Sequence, residues 1–260
     1  MLHSPPDALL ARGFAAGLAA RTERWRPGLS ATCRHGEIFA PAAEASGAGL
    51  ALALALDSFA CAQLQSGGLA LDKLSDARED ASNGQRPWLW VQDKAARRLG
   101  GRPYRAGLPR GLRHRLIHVA ADSAQDALFA LEEGLRCRDL AFVIGEIAGN
   151  PRALGLTASR RLSLAAEQHG VPLWLVRLDA AHDLGSARLR WEARSAPSLP
   201  PRWNPAAPGA PAWQADLFRA HTYQPGSWVL RDAGGLGGGL VADGVQPERD
   251  FDSNPIIRSA

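Results

Sequence analysis

An α/β fold with a mostly parallel central sheet flanked by helices, and antiparallel strands added at the C-terminal side, is the architecture expected of this chain. Compact apolar stretches of strand length alternate with amphipathic stretches of helix length from Gly36 to Val176, the pattern of strand–helix–strand units with right-handed crossovers. After Asp179 that pattern gives way to alternation of apolar and polar residues, as in strands half-buried in one sheet. The length of 260 residues, with 46% apolar and 22% charged residues, fits about one ordinary globular domain and excludes a disordered or fibrous chain.

The elements follow in order. Gly36-Glu37-Ile38-Phe39 reads as a short strand. Ser46 to Leu64, rich in Ala and Leu, reads as a buried helix, because both residues are strong helix formers and the run is long. Arg86 to Gln92 suits a central strand and Arg115 to Ala120 another. Asp122 or Ser123 is placed to cap the next helix, with Gln125 three residues after Asp122 and a stripe of Leu128, Leu131 and Leu135, ending near Cys137. Leu140 to Ile144 is the next strand, followed by a turn through Gly149-Asn150-Pro151. Thr157 is expected to cap a helix from Ala158 to Gln168, with Gly170 as its left-handed stop. Val171 to Val176 is a strand, and Arg188–Ser195, Trp213–His221 and Ser227–Arg231 are expected as antiparallel edge strands. Ala196 to Pro211, with six prolines, is a loop.

Cys33, Cys61 and Cys137 lie far apart without metal-ligand spacing, which fits a reducing cytoplasm. Met1-Leu2-His3-Ser4-Pro5-Pro6 lacks a basic and then apolar start, so no signal peptide is expected. The longest apolar run, Gly47 to Leu56, is about half of the ~20 residues that a membrane-spanning helix needs.

The net charge of +4 is unevenly spread. Lys94, Arg97, Arg98, Arg102, Arg105, Arg110, Arg113 and Arg115 put +8 into 22 residues with no acid, which leaves −4 for the rest. With Tyr104 as a stacking ring, this segment is the candidate for binding nucleic acid or an acidic partner. The competing reading is a solvated charged face, which is also the simpler reading for Arg160 and Arg161. Trp88, Trp90, Trp174 and Trp191 fall in strands and are expected in the core, with Trp203 the exposed one. The histidines show no ligand spacing and no catalytic triad context, so no metal site and no cofactor is expected.

The order of elements resembles a RecA-like ATPase core. Glu37-Ile38-Phe39-Ala40-Pro41 is similar to the strand entering a RecA phosphate-binding loop, and Ser46-Gly47-Ala48-Gly49 stands where that loop carries Ser-Gly-Lys-Thr. Within the RecA-like families the chain resembles ImuA, an accessory protein of bacterial SOS mutagenesis cassettes. The residues that carry this are Gly101-Arg102-Pro103-Tyr104-Arg105-Ala106-Gly107-Leu108, Val143-Ile144-Gly145-Glu146, the helix from Leu156 to Glu167 with its Ser159-Arg160-Arg161-Leu162, Gly170-Val171-Pro172, and Pro225-Gly226-Ser227-Trp228. The expected organisation is an N-terminal helical segment over 1–30, a RecA-like core over 31–232 and a flexible Gly-rich tail over 233–260.

A working phosphate loop needs a lysine for the β/γ-phosphates and a hydroxyl for magnesium. Here Gly47, Ala48 and Gly49 are degenerate phosphate-loop positions: Ala48 stands for the lysine and Gly49 for the hydroxyl. Gly145 stands where an aspartate would hold magnesium, with Glu146 one residue late, and the catalytic glutamate falls near Lys94 and Asp93. No catalytic residue and no ATPase activity is therefore expected, and Glu146 is read as a structural carboxylate. The resemblance implies a non-catalytic adaptor in SOS-induced translesion synthesis, docking with an ImuB-type polymerase homologue and a DnaE-type error-prone polymerase, with RecA and DNA as further candidate partners. The alternatives are a cryptic RecA-like ATPase, a DNA-binding protein and a SulA-like division inhibitor.

Overall fold

The computed structural model describes residues 23–67, 86–201, 203–232 and 239–246. Nine strands form one sheet: β1 (His35–Ala40), β2 (Trp88–Gln92), β3 (Leu116–Ala120), β4 (Val143–Ala148), β5 (Leu173–Leu178), β6 (Leu189–Ser195), β7 (Ala212–Ala220), β8 (Gly226–Asp232) and β9 (Leu240–Gln246). Their spatial order is β3-β2-β4-β5-β1-β6-β7-β8-β9. The first six in that order run parallel, and β7, β8 and β9 add an antiparallel meander, an arrangement consistent with a RecA-like layout. Strand β6 is parallel to β1 and antiparallel to β7, so antiparallel pairing starts one strand later than its alternating sequence suggests.

Helix α1 (Ser46–Gly67) lies on one face of the sheet. Beneath it, Trp25, Trp191 and Trp228 meet edge to face at centroid separations of 4.7, 5.5 and 5.8 Å. Two short helices, α2 (Lys94–Gly100) and α3 (Arg110–Arg113), interrupt the segment between β2 and β3. On the opposite face, α4 (Ala124–Arg136) and α5 (Leu156–His169) bury Leu128, Leu131, Leu135, Leu162 and Ala166 against Leu89, Val91, Val143 and Leu175. Leu162 and Ala166 are spaced i,i+4, so one stripe of α5 faces the sheet while Arg160 and Arg161 stay exposed.

Several local expectations are corrected. Ser123, one of the two caps expected, caps α4, its hydroxyl accepting the Asp126 N–H at 3.1 Å, and the residue at the third helical position is Asp126, not Gln125. Gly155 in extended backbone starts α5, and Thr157 sits inside the first turn without capping it. Strand β4 begins three residues later than expected, since Leu140 is drawn into a turn with its N–H on the Cys137 carbonyl. In the proposed N-terminal helical segment, the described residues 23–30 hold an isolated bridge of Arg24 to Gln224 and the start of a 3-10 turn (Leu29–Thr32) rather than an α-helix; 1–22 lie outside the described residues. In the proposed tail, residues 240–246 form β9, anchored because the Asp57 carboxyl on α1 takes the Gly28 N–H at 2.6 Å and a Leu240 backbone hydrogen bond. The rest of that tail, 233–238 and 247–260, lies outside the described residues. Gly170 is the left-handed stop of α5, at φ 72°.

Candidate functional site

In an open α/β sheet the ligand crevice lies at the carboxyl ends of the strands. Here that edge begins with the turn from β1 into α1. Two of its backbone donors are engaged: the Ala42 N–H donates to the Asp179 carboxylate at 2.8 Å, and the Glu44 N–H to the Pro41 carbonyl at 3.2 Å. The Asp179 N–H in turn donates to the Ala40 carbonyl at 3.0 Å, and Asp179 adopts a left-handed φ of 48°. Glu44 accepts the Ser195 N–H at 2.6 Å; with this bond and the Ser195 side chain, its carboxyl is held below the usual range. Two carboxylates thus lie at this turn, and a helix N-terminus attracts such negative charge.

The small residues of α1 have a packing cause. A Cβ at Gly47 would stand 2.7 Å from the Ala40 Cβ and 2.8 Å from a Val176 methyl, and one at Gly49 would stand 2.9 Å from the Trp213 Nε1. Ala48, between them, is half-buried against the same core.

Two strands away, Glu146 points to the α1 face of the sheet and is 3% exposed. Its carboxyl accepts the Trp90 indole N–H at 2.8 Å and the Gln92 amide N–H at 2.9 Å, while the Gln92 carbonyl oxygen meets the His118 Nε2 at 2.9 Å. Burial pushes the Glu146 carboxyl above its ordinary range, although the Gln92 and Trp90 bonds pull the other way. Asp93 is used as the N-cap of α2, its carboxylate accepting the Ala96 N–H at 2.6 Å. Glu146 therefore sits inside strand β4, in a sheath of neutral donors with no cation bonded to it among the described residues. Burial, and then the charges of Arg102, Arg97 and Arg105, hold His118 below the ordinary histidine range.

The basic segment is largely ordered into α2, a 3-10 turn (Arg105–Gly107) and α3. Its members divide by what they bond. Arg105 donates to the Leu116 carbonyl at 2.9 Å, Arg113 to the Leu108 carbonyl at 2.8 Å and Arg115 to the Gly111 and Arg86 carbonyls, so these three hold the segment onto the sheet edge. Arg97 stands 4.0 Å from Asp122. Lys94, Arg98, Arg102 and Arg110 are exposed, and Tyr104 is 77% exposed beside them in sequence.

The sequence reading missed a buried ionic cluster on the other face. Arg190 on β6 donates to Glu37 on β1 at 2.7 Å and approaches Asp183 at 3.5 Å, while Arg177 on β5 forks onto Asp183 at 3.1 and 3.2 Å. The guanidinium carbons of Arg190 and Arg177 lie 4.9 and 5.5 Å from the centre of the Phe39 ring. Burial opposes the Asp183 charge, but the Arg177 bond and charge, with Asn150 and Arg190, outweigh it and hold this carboxyl low. Next to the cluster, His35 meets the Ser163 hydroxyl at 2.7 Å, which meets Ser186 at 2.7 Å. The available signal was the alternation of His35, Glu37 and Phe39 along β1, which puts all three on the face away from α1.

Among the described residues, no three His, Cys, Asp or Glu side chains are arranged to hold a metal ion. No helix there is long and apolar enough to cross a membrane. No protein family's sequence profile matches the chain, and no curated protein matches it significantly.

Proposed function

We propose that this chain is a non-catalytic, cytoplasmic RecA-like adaptor of SOS-induced translesion synthesis, which docks with an ImuB-type polymerase homologue and a DnaE-type error-prone polymerase. The observation that carries the non-catalytic part is the closed turn before α1, where Asp179 holds the Ala42 N–H and Glu44 stands at the helix start. Phosphoryl transfer depends on positioned cations and donors around the phosphates, and that turn offers neither lysine nor hydroxyl at Ala48 and Gly49. The pathway rests on the sequence resemblance to ImuA. The test uses the purified full chain with the two polymerase components. A stable ternary complex is expected, with no phosphate release from ATP and no thermal shift with ATP and magnesium. ATP turnover that is lost on Glu146→Gln overturns the non-catalytic reading, and absence of any complex overturns the adaptor reading.

A second reading, DNA binding by the basic segment, is favoured by the exposure of Lys94, Arg98, Arg102, Arg110 and Tyr104 on one short stretch. Binding of this kind weakens linearly on a log–log plot against salt. Arg98→Glu, Arg102→Glu and Arg110→Glu should each reduce it without lowering stability, whereas Arg113 and Arg115, tied to backbone carbonyls, should affect stability first. Salt-insensitive binding sinks this reading.

A further inference from the structure

All eight tryptophans lie among the described residues, and seven of them are at most 6% exposed, whereas Trp203 is 80% exposed. It stands on the proline-rich connection between β6 and β7, residues 196–211, together with Leu199 at 61% exposure. The described residues of this connection, 196–201 and 203–211, form an arm with bonds at its neck and tip. Its neck is closed by the Ala196 N–H on the Ala212 carbonyl at 3.0 Å and by Arg231 donating to the Pro197 carbonyl at 2.9 Å. Its limbs touch where a Cβ at Gly209 would lie 1.9 Å from the Leu199 carbonyl oxygen, so only glycine fits there. At the tip, the Asn204 N–H bonds the Pro201 carbonyl at 3.2 Å across Trp203, and the Ala207 N–H bonds the Asn204 carbonyl at 3.0 Å just after it. The Asn204 side chain accepts the Ala206 N–H at 3.1 Å.

An indole offers about 150–250 Å² of surface to bury, and here it is exposed on a connection whose six prolines and turns restrict the backbone. Preorganisation of this kind lowers the ordering cost of association. Within 196–211 the sequence carries Arg202 and no acid. A proline-flanked aromatic with an arginine next to it in sequence fits an apolar, aromatic-lined pocket with an acidic rim.

We propose that the 196–211 arm is the ligand with which this chain docks into such a pocket on its polymerase-homologue partner, with Trp203 as the anchor and Leu199 beside it; this rests on the adaptor reading above. The arm springs from the carboxyl end of β6, where the Ser195 N–H meets Glu44 beside the β1–α1 turn, and leads into the antiparallel meander.

The experiment uses the full chain labelled with 5-fluorotryptophan and the purified ImuB-type homologue. The Trp203 fluorine signal is assigned by its loss in Trp203→Ala. On addition of the homologue, that signal is expected to shift and to become shielded from a soluble paramagnetic quencher. Trp203→Ala should weaken the complex roughly thirty-fold or more, as truncation of an anchoring tryptophan does. Leu199→Ser should weaken it less, and both variants should keep the wild-type melting temperature. A complex of unchanged affinity with Trp203→Ala overturns the arm and leaves the adaptor reading standing. No complex with the wild-type chain overturns both. Self-association that Trp203→Ala abolishes shows that the arm's pocket lies on a second copy, and also overturns the proposal.

Discussion

The Asp179 carboxylate and the Ala42 backbone N–H meet at 2.8 Å, across 137 residues of sequence, at the point where β1 turns toward α1. The contact is reciprocal, since the Asp179 N–H bonds the Ala40 carbonyl, and Asp179 holds a left-handed φ of 48° to make it. A non-glycine residue in that region carries a conformational cost. The turn is therefore fixed by its own anion.

It follows that restoring the missing side chains should not restore nucleotide binding. Ala48→Lys with Gly49→Thr supplies the cation and the hydroxyl, but the Ala42 donor remains on Asp179, and a side chain at position 49 runs into the Trp213 indole at 2.9 Å. Overpacking of this kind costs about 1–3 kcal/mol. Differential scanning fluorimetry should show a lower melting temperature that ATP and magnesium do not raise. A nucleotide-dependent rise of several degrees in the double variant would show that the turn can open.

Glu146 gives a pH signature. Its carboxyl is raised by burial, so the folded chain holds this proton more tightly than the unfolded chain does. Such a group stabilises the fold fully below its unfolded pKa, and the contribution is lost as pH rises through the raised folded value. Glu146→Gln keeps an acceptor for the Trp90 indole and removes the titration, so urea midpoints of the variant should fall less than wild type as pH rises above the ordinary glutamate range. Glu146→Ala orphans both the Trp90 and Gln92 donors, at about 1–3 kcal/mol each. Parallel midpoint-versus-pH curves for wild type and Glu146→Gln would refute this assignment.

The Glu37–Arg190 pair should behave as a unit. The two side chains are 1% and 4% exposed, so removing one partner strands the other charge in the interior. Arg190→Met alone should cost about 3–5 kcal/mol, whereas Glu37→Leu with Arg190→Met should cost clearly less, because buried pairs are often replaced by apolar residues with little loss. Arg190 also approaches Asp183 and packs over the Phe39 and Phe218 rings, which sets a floor under the double variant's loss. A double-mutant cycle by chemical denaturation measures the coupling, and additive losses would contradict it.

These contacts also show where sequence reading stops. The strand and helix periodicities, the stop at Gly170 and the burial of Trp88, Trp90, Trp174 and Trp191 follow from local patterns, and each is found in place. The loss of lysine and hydroxyl at Ala48 and Gly49 is equally local. The Asp179–Ala42 and Glu37–Arg190 contacts each span more than a hundred residues, and no periodicity carries that information. Strand β9 was hidden for a related reason: its polar and glycine-bearing sequence has weak strand propensity and is held by pairing to β8.

The last prediction concerns the acid limb of stability. His35 is fully enclosed between β1, the Ser163 hydroxyl of α5 and the loop carrying Ser186, and burial, with the Arg190 charge, lowers its pKa from 6.5 to about 3. The unfolded chain binds this proton near pH 6.5 and the folded chain does not until about pH 3, so the neutral histidine's contribution is present above 6.5 and is lost as pH falls through that window. His35→Leu abolishes this proton uptake while Ser163 keeps Ser186 as a partner. The variant should be less stable than wild type at neutral pH, because the ring and its hydrogen bond are gone. The difference should shrink steadily as pH falls below 6.5, since only the wild type then gains a proton on unfolding. Carboxylates elsewhere titrate in both proteins and cancel in the difference. Urea midpoints taken at intervals from pH 7 down to pH 4 read this directly, and a wild-type-to-variant gap that stays constant with pH would show that His35 takes up its proton as readily in the folded chain as in the unfolded one.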